Sequence, residues 1–162
     1  MGVMDWLSTK RHGFAALSAE EQKSIADFAF IWSYFESEAL GRNANYTSIV
    51  RLATMLEGTG KIDEARLAPV LAYFIARYVH GGVLSPHHPH LRLPPSHRAL
   101  VNGVLLGTLT SPGERLAASL LIAFRFRNNL FHGEKWEYDL QGQRPNFEMA
   151  SELLMATLEM QG

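Results

Sequence analysis

The stretch "SPGERLAASLLIAFRFRNN", residues 111–129, decides how this chain is read. Ser111 is a candidate N-cap, and Pro112 stands where the first helical residue would be, a position that has no use for a backbone N–H. Beyond them the apolar residues do not keep to one stripe. Leu116, Leu120, Ala123 and Phe124 share a face with Arg127, while Ala118, Leu121 and Ile122 share another with Arg125. A helix that is apolar nearly all round is buried on both sides. In a chain of 162 residues that means the middle of a helical bundle or a seam between two copies. The most hydrophobic helix then runs into "RFRNNLFHGEKW", residues 125–136, where cations, amides and an imidazole crowd its end. A guanidinium leaving such a packed helix needs an anionic partner, a carboxylate or a bound phosphate.

Working outward, helical periodicity dominates. Ser18 and Glu21 form a capping box. Behind it Ile25, Phe28, Ala29, Trp32, Phe35, Ala39 and Leu40 repeat at three- and four-residue steps, predicting a long helix that ends near Gly41. Further helices are predicted over Tyr46 to Leu56, over Glu64 to His80 and over Asn146 to Met160. Pro69 is awkward inside the second of these and implies a helix start or a kink. The segment "GGVLSPHHPHLRLPPS", residues 81–96, reads as a loop. "HRALVNGVLLGTL" reads as a short helix, and Gly133 to Pro145 as a polar loop. No strand signal competes, and neither an internal repeat nor a domain boundary is visible. The expectation is an all-α, up-and-down helical bundle with short additional helices, as a single domain over residues 1–162.

Composition sets bounds. The apolar fraction of 47% suffices for a core, and the net charge of −1 argues against non-specific coating of nucleic acid. Any contact with nucleic acid would use a local patch. Cysteine is absent, which removes disulfide and thiolate chemistry. No signal peptide is visible at "MGVMDWLSTK", Trp6 spoils a myristoylation signal, and the longest apolar run is about half of the ~20 residues a membrane span needs. A soluble, cytoplasmic protein is expected.

Arg127 and His132 are separated by "NNLF". An arginine, a polar residue and then a histidine at the end of a bundle helix resemble the motif of the HEPN domain superfamily. "RNNLFHG" is similar to the versions found in its toxin and antiphage-defence ribonucleases. The short all-α chain and the aromatic-rich "FIWSYFESEAL" resemble that family as well. Only Phe126 to Gly133 is motif-specific. The same spacing recurs at Arg92 and His97 in "RLPPSH", a proline-rich loop where no helix fixes the geometry. Arg125 also matches His132 at the longest spacing, but it points about 200° from Arg127 on a helix. Arg127 is favoured because Asn128 follows it.

The resemblance implies an endoribonuclease with no cofactor. The substrate's 2′-hydroxyl attacks the adjacent phosphate, leaving a 2′,3′-cyclic phosphate and a 5′-hydroxyl. His132 would move the proton and Arg127 would clamp the phosphate, while Asn128 would orient the histidine or bind the phosphate. It further implies a homodimer that brings two motifs into one cleft, an RNA substrate, and an antitoxin or regulatory protein as partner. Glu36 and Arg125 are second-rank candidates for pairing near the motif. Asn129, Lys135, Trp136 and Arg144 are candidates for touching RNA, although Glu134, Glu137 and Asp139 are interleaved with them. One departure stands out: Glu134 occupies the place of a tyrosine found in HEPN toxins paired with nucleotidyltransferase antitoxins, and Tyr138 lies farther on. His87, His88 and His90 could ligate a metal, but prolines restrict their loop and no nearby carboxylate completes a set, so a solvated loop is expected. The competing expectation is a helical binding or assembly module that keeps the motif without catalysis.

Overall fold

The computed structural model describes residues 1–133 and 140–162. The protein is all-α, a helical bundle. In chain order the helices are α1 (Val3–Lys10), α2 (His12–Ala15), α3 (Ala19–Ala39), α4 (Tyr46–Gly58), α5 (Glu64–Tyr78), α6 (Pro95–Leu105), α7 (Pro112–Phe131) and α8 (Arg144–Gln161). Between α5 and α6 lie two short antiparallel strands, β1 (Val79–His80) and β2 (Val83–Leu84), and a single 3₁₀ turn, His88–Leu91. No helix among the described residues is long and apolar enough to cross a membrane.

The starts of three long helices follow directly from local chemistry. Ser18, Asn45 and Ser111 each accept from the amide three residues on, and the side chain there bonds back. These reciprocal caps satisfy donors that a helix N-terminus otherwise leaves open. Helix α3 ends where Gly41 and Arg42 take left-handed backbone angles, φ 59° and 65°. Helix α5 neither starts nor stops at Pro69. It runs through that residue, which sits on the exposed face where a missing N–H is least costly.

Two features differ from the sequence reading. The N-terminal segment forms α1 and α2, and residues 79–84 form a hairpin. The hairpin is too short to show a period-two pattern. Its turn is Gly81–Gly82, with φ 59° and 78°, angles that glycine adopts without Cβ strain.

Helix α7 is the axis of the bundle. Leu116 through Ala123 are all buried on it, covered by α4, α5, α6 and α8 of the same chain. Both of its apolar faces are therefore covered within one copy. The aromatic core beside it links four helices: Phe126 lies 6.0 Å from Phe74 and 6.4 Å from Phe147, Phe147 lies 5.2 Å from Phe28, and Trp32 stacks on Phe124 at 5.6 Å. Each such side chain contributes about 1.5–3 kcal/mol by burial. Gly142 donates to Glu21 at 2.9 Å, so α3 and α8 begin at the same end of the molecule. Tyr73 bonds Asn146 at 2.7 Å, and Arg66 pairs with Glu159, so α5 runs opposite to α8. The C-terminal ends of α5 and α7 thus reach the same end of the bundle as the hairpin and the 3₁₀ turn.

Candidate functional site

Helix α7 ends at the motif for a readable reason. His132 is its C-cap, donating its amide to the Asn128 carbonyl at 2.9 Å, and Gly133 follows at φ 79°. A glycine in the left-handed region just past the C-cap is the usual helix stop. His132 is exposed at this end.

Arg127 is half-buried. Its Nη1 donates to Asn128 Oδ1 at 3.0 Å, and its guanidinium carbon lies 5.1 Å from the centre of the Phe131 ring. Its Nε is buried without a hydrogen-bond partner, and no ion pair holds the side chain among the described residues. A buried guanidinium N–H left unpaired costs about 1–3 kcal/mol or more. Arg127 and His132 are five positions apart, about 140° around the helix, so within one copy they point different ways. The arginine on the His132 face is Arg125, seven positions back.

The other candidates fall into place, mostly away from chemistry. Glu36 does not pair with Arg127. Its carboxylate accepts from Trp32 Nε1 at 3.1 Å and from the Ala44 amide at 3.3 Å, closing the turn after α3. Arg125 donates its Nε to the Leu91 carbonyl at 3.1 Å. Asn129, a candidate for touching RNA, is turned inward. It is only 4% exposed and gives its amide to the carbonyls of His90 at 3.2 Å and Leu91 at 3.5 Å. Arg144 opens α8 and pairs with Glu148 at 2.6 Å. Lys135, Trp136, Glu134, Glu137, Tyr138 and Asp139 lie outside the described residues.

The Arg92–His97 pair is not the unstructured decoy that its prolines suggest. His97 lies in α6, is 6% exposed, and sits 5.2 Å from the Tyr46 ring with its Nδ1 unpartnered. Burial, and then the charge of Arg125, hold its pKa below the ordinary histidine value. Arg92 takes a left-handed conformation, φ 51°, ending the 3₁₀ turn.

The histidine loop is ordered rather than merely solvated. His88 Nε2 bonds Asn102 Oδ1 at 2.7 Å, and its ring meets Tyr78 edge-on at 6.5 Å. The His87 and His90 rings meet edge-on at 6.2 Å. Among the described residues no three His, Asp or Glu side chains are grouped to hold a metal ion.

Sequence reasoning missed the clamp formed by Arg125 and Asn129. Their spacing of four marks a shared helix face, which the sequence does show. Nothing in it says that the face meets a turn about forty positions earlier. Comparison with family models, curated proteins and solved structures gives no match to this chain.

Proposed function

We propose that the chain is an endoribonuclease of the HEPN type, a toxin or antiphage-defence effector that works as a homodimer. One observation carries the reading: a half-buried arginine with an unpartnered Nε stands five positions before an exposed histidine at the end of the central helix. A site built to receive a phosphate leaves such a cation without an internal carboxylate, whereas a structural arginine in this position is normally paired.

The chemistry follows from the residue types. The ribose 2′-oxygen bonds to phosphorus, and the P–O bond to the 5′-oxygen breaks. His132 takes the hydroxyl proton or returns one to the leaving oxygen, while Arg127 offsets charge on the equatorial oxygens. Asn128, already bonded to Arg127, sets the fork's direction. The nucleophile belongs to the substrate, so the reaction needs no metal-activated water. The divergence of Arg127 and His132 within one copy supports a composite cleft, where the arginine of one protomer meets the histidine of its partner.

A second reading, a binding or assembly module without catalysis, is favoured by one fact: every described contact of Arg127 is made to its own helix. Incubating the purified protein with RNA in EDTA separates the two. The nuclease reading expects cleavage, with a 5′-hydroxyl on the downstream fragment. No cleavage under any condition, or cleavage only with an added divalent ion, refutes it.

A further inference from the structure

The charges of this chain are unevenly distributed. Between Glu64 and Glu114 the sequence has no aspartate or glutamate, yet it carries four arginines and five of the seven histidines. The net charge of −1 hides this, because the acids gather in the two flanking parts. The fold gathers part of that stretch at one end of the bundle. Arg77 comes from the last turn of α5, His80 from β1, and His87 and His90 from the turn that follows.

These groups are close enough to feel one another. The Arg77 charge, and then burial, His90 and His80, depress the pKa of His87, and no acid among the described residues opposes them. Arg77 is half-buried, its guanidinium carbon 5.9 Å from the centre of the Tyr78 ring, and its Nε has no partner. No ion pair of the described residues includes Arg77 or any of the three histidines. His80, His87 and His90 are exposed.

The surface is also tied to the helices. Ser85 Oγ donates to the Arg77 carbonyl at 2.6 Å, and the Ser85 amide donates to the Tyr78 carbonyl at 2.7 Å. Asn129 holds the His90 carbonyl at 3.2 Å. His132 follows Asn129 by three residues, one turn on along the same side of α7. The turn that carries His87 and His90 is therefore joined to α7 about one turn before the candidate catalytic histidine.

We propose that Arg77, His80, His87 and His90 form a binding surface for the phosphodiester backbone of single-stranded RNA, leading the strand to His132. Resting on the nuclease reading, it assigns the strand's path. Imidazoles suit this ligand better than lysines would. Each donates to a phosphate oxygen and also offers a ring on which an unpaired base stacks. A bound polyanion would offset the Arg77 charge that disfavours protonation of His87, so binding tightens as pH falls.

The test uses the full chain in a His132→Ala background, which keeps the RNA intact. Fluorescence anisotropy of a labelled single-stranded RNA of about ten nucleotides, at about pH 6 and low salt, reads the affinity. His87→Glu with His90→Glu changes two exposed side chains. It should weaken binding by at least about tenfold and flatten the salt dependence. Arg77→Gln, checked by thermal melting, should weaken binding in the same direction. If the double variant binds RNA like its parent, the surface is refuted, even where His132→Ala abolishes cleavage. Weakened binding in a protein that never cuts RNA supports the surface and removes only the enzymatic reading. A polyglutamate peptide that binds this face while RNA does not would indicate an acidic protein partner, and also refutes it.

Discussion

The side-chain amide of Asn129 donates to the carbonyl of His90 at 3.2 Å, joining the motif helix to the histidine turn across 39 positions of sequence. With Arg125 bonded to the Leu91 carbonyl at 3.1 Å, the end of α7 and that turn form one unit. The position of His132 relative to the basic surface depends on this clamp.

Asn129→Ala should therefore act through stability. It takes the side-chain donor from the His90 carbonyl, while Leu91 keeps Arg125, a loss of about 1–3 kcal/mol. Chemical denaturation reads it directly. An Asn129→Ala protein as stable as the parent would show that the clamp is not a structural bond.

His132→Ala and Arg127→Lys test the chemistry. Removing a proton-transfer group costs about two to four orders of magnitude in rate. Lysine keeps the charge of Arg127 but loses the bidentate fork, so a large loss is expected there too. Both proteins should fold, because His132 is exposed and lysine preserves the stem. RNA cleavage by dimeric His132→Ala at the parental rate ends the assignment.

Glu36→Gln separates a structural carboxylate from a site carboxylate. The glutamate holds the Trp32 indole and the Ala44 amide, so its replacement should lower the melting temperature and leave cleavage per folded molecule unchanged. A selective fall in activity with no thermal shift would return Glu36 to the site.

His97 gives the chain a calculable pH response. Its folded-state pKa lies below the ordinary value, from burial and then from Arg125. The unfolded chain thus binds a proton that the folded chain refuses, and stability rises with pH across that range. As pH falls through about 6.5, folded protein should lose stability. His97→Gln should flatten the curve between about pH 7 and 5 in denaturation series. His97→Ala should destabilise the fold at every pH by leaving a cavity beside Tyr46.

Association is checked by light scattering. With α7 covered inside one copy, a dimer would use other exposed residues, Phe131 among them at 57% exposure. A monomer at micromolar concentration that still cuts RNA would remove the composite cleft.

Much of the fold is legible in the sequence, because its causes are local. Ser18 with Glu21 and Ser111 with Glu114 sit three residues apart, so cap and partner are visible in one window. Gly133 stops α7 by its own backbone freedom. The all-round apolar character of 116–123 states that this helix is central, though not whether neighbours in the same chain or in another cover it. The motif itself, Arg127, Asn128 and His132, is likewise a matter of spacing.

What the tertiary structure decided is where polar groups spend their hydrogen bonds. Glu36 reads as a partner for Arg127 until Trp32 and Ala44 are seen to occupy it. Asn129 reads as a surface amide until the turn at His90 covers it, and His97 reads as a loop residue until α6 packs it against Tyr46. Arg77, His80, His87 and His90 belong to three elements, and only the hairpin and the turn bring them to one surface. Short-range pattern reveals which faces are apolar and where helices begin. The partners of a buried or clustered polar side chain are set by chain segments tens of residues away, and those are brought together only when the core has formed.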